Sequence, residues 1–145
     1  MSDGFAELAR MSERLGELAK VPARAAKAAS SVIALMMQEQ FDQGVDPYDA
    51  PWAPLSDATI SMGRSAPPLT DTSAMRDSLR VKPMAAAGVS VTIDHPAGVH
   101  QTGWNGVHGG DGPARPILPA RGELPEGWIE ALEAETERAY HGAMR

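Results

Sequence analysis

The placement of helical patterns along the chain constrains its fold more than any other feature. Residues 5–19 and 23–41 repeat apolar side chains at helical spacing, and residues 125–143 do so again near the other end. Residues 42–70 are instead rich in Pro, Gly, Asp and Ser and show little periodicity, which is typical of turns and loops. The long helices are therefore expected at the two ends, and any sheet must be built from short segments between them.

The first helical pattern carries a narrow apolar seam. Leu8, Met11, Leu15 and Leu18 follow one another at alternating spacings of three and four residues, and the charged residues lie off this line. We interpret the seam as the face that packs on the chain's own domain. The seam covers only about two heptads, and a sustained coiled coil needs more. Contact with a partner helix is therefore the alternative interpretation. Pro22 ends or kinks the pattern, so that two helices and one kinked helix both fit.

The last helical pattern is apolar on one side and acidic on another. Pro125 suits its first turn. Its predicted apolar face consists of Trp128, Ile129, Leu132, Thr136, Ala139 and Tyr140. The acidic residues are Glu126, Glu130, Glu133 and Glu137. A solvated face is the ordinary interpretation of such residues. The functional alternative is an acidic surface facing a channel, where repulsion between like charges keeps passing DNA from sticking.

Two short segments in the second half of the chain predict a β-hairpin. Residues 78–82 and 89–93 alternate apolar and polar side chains, and Ala87-Gly88 supplies a turn, which places an antiparallel hairpin at about 78–94. The side chains expected on its buried side are Leu79, Val81, Val89, Val91 and Ile93. Residues 114–118 predict one more strand, and their prolines would confine it to a sheet edge.

These elements predict an α+β fold with N-terminal helices, a small and mostly antiparallel sheet and a C-terminal helix. We expect a single domain over residues 1–145, made of an N-terminal helical segment, 1–41, and an α+β body, 42–145. Loops 42–55 and 103–113 are predicted to be mobile, although Trp52 is expected to anchor the first loop on the core because of its large apolar surface.

Composition excludes several classes of protein. The chain has 145 residues, no cysteine and a net charge of −6, so that disulfides and thiolate metal sites are absent and the basic stripe of a nucleic-acid binder is not expected. The start lacks the basic region and apolar run of a signal peptide, and no apolar run approaches a membrane span. A bacterial cytoplasm suits such a chain, and no membrane partner is expected.

The sequence contains few candidates for catalytic or metal-binding residues. His95 and His100, with Asp94 adjacent to His95, form the best grouping, but a metal site needs about three ligands at characteristic spacings, and the zincin spacing is absent. No Ser lies in a Gly-x-Ser-x-Gly elbow, and the glycines of 103–112 lack the Lys-Ser/Thr ending of a phosphate loop. We therefore predict no catalytic set and no cofactor. A small metal-dependent enzyme using Asp94, His95 and His100 is the alternative.

Four short motifs in a fixed order carry the strongest functional signal. They are Trp52-Ala53-Pro54-Leu55, Leu69-Thr70-Asp71-Thr72, His100-Gln101-Thr102-Gly103 and Pro113-Ala114-Arg115-Pro116-Ile117-Leu118. Together they resemble the phage virion morphogenesis (tail completion) family, over roughly residues 40–140. The chain departs from the family's pattern in having Ser73 for a glycine, His95-Pro96 for Tyr-Ala, and Ile117 for a phenylalanine.

The resemblance implies a structural protein that completes the tail or joins the head to the tail. Such a protein would act as one subunit of a ring, often six-fold, beside connector, adaptor, tube or terminator proteins. It would be assembled in the host cytoplasm and located in the neck or tail of the virion, with DNA passing through unbound. We take as candidate subunit-interface residues Trp52, Leu69, Thr70, His100, Gln101, Trp104, Arg115, Pro116 and Ile117. For Arg115 we expect a salt bridge to a neighbouring subunit, the alternative being an exposed side chain on the edge strand.

Overall fold

The fold is α+β, as predicted. The computed structural model describes residues 2–61, 63, 68, 74–84, 88–94, 97–103 and 112–145. Six helices and two strands lie within these ranges, in the order α1 (Ser2–Ala19), α2 (Val21–Gln43), α3 (Asp57–Ser61), α4 (Ala74–Asp77), β1 (Arg80–Pro83), β2 (Val89–Thr92), α5 (Ala97–Thr102) and α6 (Glu126–Ala143).

The N-terminal pattern forms two helices, α1 and α2, separated at Lys20. Pro22 is the second residue of α2, where its missing N–H breaks no helical hydrogen bond. Gly44 ends α2 in the left-handed conformation, with φ 67°, and its N–H is bonded to the carbonyl oxygen of Gln40. Proline near the start and glycine at the end therefore set the limits of α2.

The core lies where α2 packs along α6 and across the β-hairpin. The largest fully buried side chains are Phe41, Ile33, Met37 and Ile117. Trp52, Leu79, Ala97 and Trp128 complete this cluster. Four members of the core, Trp52, Leu79, Ala97 and Ile117, come from loops or a short helix rather than from the long helices, so the irregular middle of the chain is held onto α2.

The predicted hairpin is confirmed. Strands β1 and β2 pair antiparallel, with Val81 opposite Val91 and Arg80 opposite Thr92. Leu79 is buried, and the half-buried hairpin valines pack against the core together with Ile93. One face of the hairpin thus covers the core, as the alternation of residues predicts.

The predicted edge strand at 114–118 is wrong. Among the residues the structure describes, the sheet has two strands, and 114–118 is extended chain outside it. Pro113, Pro116 and Pro119 remove amide donors that a strand ladder needs. Backbone groups of Pro116, Ile117 and Leu118 bind side chains instead, and the N–H of Arg115 binds the backbone oxygen of His100.

Helix α6 is turned by about one residue from the predicted orientation. Trp128 is buried, but Ile129 and Tyr140 are 40 % and 46 % exposed. The buried residues on this helix are Trp128, Glu135 and Ala143, and Leu132 packs against the core beside them. Because Trp128 and Ile129 are both apolar, either could have faced α2, and packing on α2 selects Trp128.

Helix α1 does not bury its apolar seam, and the interpretation of this helix as packed on its own domain is wrong. Phe5, Leu8, Met11 and Leu15 are 79 %, 62 %, 58 % and 59 % exposed. The helix contacts α2 and α6 only sparsely. Ion pairs from Glu17 to Lys20 and Arg24 tie its last turn to α2. Leu18, the last residue of the seam, is half-buried. The other three seam residues and Phe5 therefore form an uncovered apolar stripe on a projecting helix.

Candidate functional site

Three of the four sequence motifs meet at the extended segment 115–118. The indole Nε1–H of Trp52 donates to the carbonyl oxygen of Pro116 at 2.7 Å. The amide of Gln40, on α2, donates to the carbonyl oxygen of Ile117 at 3.1 Å. We call residues 115–118, together with Gln40, Trp52 and Gln101, the 115–118 hub.

The side chain of Gln101 pairs with residues 117 and 118 as a neighbouring strand would. Its Oε1 accepts the N–H groups of Ile117 and Leu118 at 2.8 and 2.9 Å. Its Nε2 donates to the carbonyl oxygen of Leu118 at 2.8 Å. One side-chain amide therefore satisfies three backbone groups that a sheet would otherwise have paired. This explains how an extended segment can lie in the core without being part of a sheet.

Arg115 is buried within its own chain. The residue is 7 % exposed, and its Nε and Nη2 donate to the carbonyl oxygens of Ala53 and Pro54 at 2.7 and 2.8 Å. Burial lowers the pKa of the guanidinium from its ordinary value. The two carbonyl oxygens belong to the first motif, so Arg115 joins the first motif to the last. The predicted salt bridge to a neighbouring subunit is thereby corrected to an internal contact.

His100 lies beside Arg115 and is half-buried. Its backbone oxygen accepts the N–H of Arg115 at 2.7 Å. Burial, and after it the charge of Arg115, lower the pKa of His100 from its ordinary value. The imidazole is therefore neutral near pH 7, because both effects oppose a second positive charge at this place.

Several predicted interface residues are internal. Ile117 is 0 % exposed and Trp52 is 5 % exposed, and the Trp52 ring packs edge-on against Phe41 with centroids 5.5 Å apart. Such side chains cannot contact a neighbour while the chain keeps this fold, so these two predictions are wrong. Gln101 and Pro116 are half-buried and serve the hub. The remaining predicted interface residues, Leu69, Thr70 and Trp104, lie outside the described residues.

The structure describes two members of the grouping proposed for metal chemistry, Asp94 and His100. The backbone N–H of Asp94 donates to the Ser78 hydroxyl at 3.0 Å, and its carbonyl oxygen accepts the N–H of Ala97. His95 lies outside the described residues. No group of three His, Cys, Asp or Glu side chains that could hold a metal ion occurs among the described residues.

The acidic residues of α6 lie on its outer surface. Glu126, Glu130, Glu133 and Glu137 are all exposed. Sequence reasoning missed the fifth carboxylate of the helix, Glu135, which is 8 % exposed and pairs with Arg138. Its spacing from Trp128, two helical turns on the same side, was the available signal.

Sequence reasoning also missed how the 42–55 loop is held. The Tyr48 hydroxyl binds the carbonyl oxygen of Glu123 and accepts the N–H of Ala120. Asp46 positions this tyrosine, because its carboxylate accepts the N–H of Tyr48 and that of Ala50. Asp-Pro is a turn signal in the sequence, but the distant partners of Tyr48 are not visible there. The mobility predicted for this loop stays a prediction, and most of 103–113 lies outside the described residues.

A surface cleft of about 350 Å³ lies between the end of α2, this loop and the start of α6. Glu39, Asp49 and Glu126 line its wall, together with the apolar side chains of Met36 and Trp128.

Within the described residues, no helix is both long and apolar enough to cross a membrane.

No protein-family model, curated protein or solved structure matches this chain. The resemblance to the virion morphogenesis family therefore depends on the four motifs alone.

Proposed function

We propose that this chain is a structural subunit of a tailed-phage particle that completes the tail or joins the head to the tail. The observation that carries the proposal is the convergence of three motifs on the 115–118 hub. There the side chains of Trp52, Gln101 and Arg115 bind backbone groups through six hydrogen bonds of 2.7 to 2.9 Å. These three side chains are engaged with backbone groups and are not presented to a ligand, which supports a structural role for the motifs.

The apolar stripe of α1 supports an assembly role. Fully burying one such side chain stabilises by roughly 1.5–3 kcal/mol. Phe5, Leu8, Met11 and Leu15 are 58 % to 79 % exposed, and so covering all four is worth about 4–8 kcal/mol on this scale. Association costs roughly 4–15 kcal/mol in lost freedom, so the stripe of one chain gives only weak binding by itself. We therefore propose that the free protein is monomeric or weakly associating and is held in place by several contacts at once.

In the proposed particle the subunits form a ring in the neck or tail-end region, and we propose that this ring is a hexamer. The neighbours are connector or adaptor proteins on one side and tube or terminator proteins on the other. The exposed carboxylates of α6, Glu126, Glu130, Glu133 and Glu137, are the proposed lining past which DNA slides without specific binding. The ring is heterologous, with different surfaces of each subunit in contact.

Electron microscopy of particles made without the gene tests the proposal. We expect filled heads beside separate or overlong tails, and restoration of complete particles when the chain is supplied from a plasmid. The same plasmid carrying Gln43→Met, a change at an exposed position, should restore particles equally well. Complete, infectious particles in the deletion strain would contradict a joining or completing role. Stoichiometric metal in the purified protein, lost in His100→Ala, would favour the enzyme alternative instead.

A further inference from the structure

The uncovered stripe of α1 is large enough to be an interaction surface. Its four members, Phe5, Leu8, Met11 and Leu15, lie along about three turns of one helix, and no element that the structure describes buries them. The apolar area they expose is on the order of 400 Å², which is comparable with the largest patches that soluble monomers display. A patch of this size is often a site where a partner docks.

The charges of α1 indicate what that partner is not. Up to Lys20 the helix carries the acids Asp3, Glu7, Glu13 and Glu17 and the bases Arg10, Arg14 and Lys20. Helices that lie on anionic membranes have a strongly basic polar face, and nucleic-acid contacts are basic too. The near balance of charge on α1 suits a partner helix that is also amphipathic and nearly neutral. The α1 helix of a second copy of the chain has these properties.

The spacing of the seam residues is symmetric about its centre. Leu8, Met11, Leu15 and Leu18 are separated by three, four and three residues. When a second copy runs antiparallel about a two-fold axis near Glu13, Met11 meets the partner's Leu15, and Leu8 meets the part of the partner's Leu18 that its own chain leaves exposed. Each layer then joins two apolar side chains, as knobs-into-holes packing requires.

The ends of α1 carry complementary charge. Its first two turns hold Asp3 and Glu7 and no base. At its other end Glu17 accepts from Lys20, which follows α1, and from Arg24 of α2, at 2.7 and 3.1 Å, so that two bases surround one carboxylate. An antiparallel copy brings the acidic end of each helix to the basic end of the other and opposes the two helix dipoles. A parallel copy would place the two acidic ends together.

From these observations we propose that two copies of this chain associate through α1, as an antiparallel helix pair. The contact is isologous, because each copy contributes the same surface. It does not depend on a role in the virion. The pairing is weak, for the reasons of area given above, and is therefore expected to depend on protein concentration.

Sedimentation velocity of the full chain over a range of concentrations tests the pairing. We expect a reversible monomer–dimer equilibrium, and an increase of at least about thirtyfold in the dissociation constant for a chain carrying Met11→Glu and Leu15→Glu. The matched control carries Ala6→Glu and Ala9→Glu, which add the same charge on the other side of α1 and should leave the equilibrium unchanged. Circular dichroism should show the same helix content for all three chains. A wild-type chain that stays monomeric at hundreds of micromolar, or equal weakening by both double variants, would overturn the proposal.

Disulfide formation tests the orientation, because the chain contains no cysteine of its own. Chains carrying Leu8→Cys and Leu18→Cys are mixed and oxidised, with one chain lengthened by a tag so that products separate by size. We expect the mixed disulfide to exceed both homodimers. Predominant homodimers would indicate a parallel pair and overturn the antiparallel assignment. The outcome is separable from that of the gene deletion, because both measurements use purified protein without particles.

Discussion

Replacing Gln101 by methionine tests the central idea that one side chain takes the place of a strand. The change keeps the length of the side chain and removes the partners of three backbone groups, namely the N–H groups of Ile117 and Leu118 and the carbonyl oxygen of Leu118. Each unsatisfied buried group costs roughly 1–3 kcal/mol. Ile117 is fully buried, whereas water can reach half-buried Leu118. We therefore expect a loss of about 2–4 kcal/mol in the free energy of unfolding.

Urea denaturation followed by circular dichroism measures this loss. With a slope of about 2 kcal/mol per molar urea, the midpoint should fall by about 1–2 M. The control is Gln43→Met, the same change at an exposed residue of α2, which should alter stability by less than about 0.5 kcal/mol. Equal midpoints for Gln101→Met and Gln43→Met would refute the account of the hub given above.

A second variant at the same position separates donors from acceptors. Gln101→Glu keeps the oxygen that accepts from the two N–H groups, but a carboxylate cannot donate to the carbonyl oxygen of Leu118. We expect it to be less stable than the wild type at pH 7.5 and closer to the wild type at pH 4, where a protonated carboxyl group can donate again. A difference from the wild type that is the same at both pH values would show that donation to Leu118 contributes nothing.

Three further outcomes are expected. Trp52→Phe keeps most of the buried ring but leaves the carbonyl oxygen of Pro116 without its donor, so thermal or urea unfolding should show a loss of about 1–3 kcal/mol. Because burial above all lowers the pKa of His100, unfolding takes up a proton below pH of about 6.5. The unfolding free energy should therefore be level above that pH and decrease below it, and His100→Gln should weaken this dependence in urea titrations across pH 5–8. Gly103→Ala should lower the melting temperature, since φ is +75° and a Cβ would lie 2.6 Å from the carbonyl oxygen of Gly112; an unchanged melting temperature would contradict this backbone geometry.

Local signals in the sequence predict the ends of elements well. Pro22 and Gly44 mark the start and end of α2, and the alternation around Val81 and Val91 gives the hairpin and its buried face. Each of these depends on a few neighbouring residues whose backbone preferences agree with the fold. The α+β class follows from them without any knowledge of tertiary contacts.

Signals that depend on a distant partner fail. The stripe of α1 has the same periodicity as a packed helix, since a pattern records that a face is apolar and not what covers it. On α6, Trp128 and Ile129 are equally apolar, and contact with α2 decides between them. The extended form of 114–118 is predicted from its prolines, but its true partner is a side chain, Gln101, which a pattern of strands cannot indicate. Residues of three motifs meet at the hub, which no local pattern in the sequence indicates, and the burial of Arg115 reverses the role assigned to it.

The hub also sets the order in which the chain can fold. Its bonds from Gln40, Trp52 and Arg115 join residues 61 to 77 positions apart. Such contacts close long loops and form late, after local helices and the hairpin. Variants of the hub should accordingly speed unfolding while leaving the refolding rate nearly unchanged. During synthesis, α2 must leave the ribosome and wait with its apolar face exposed until the segment near Ile117 has followed it out.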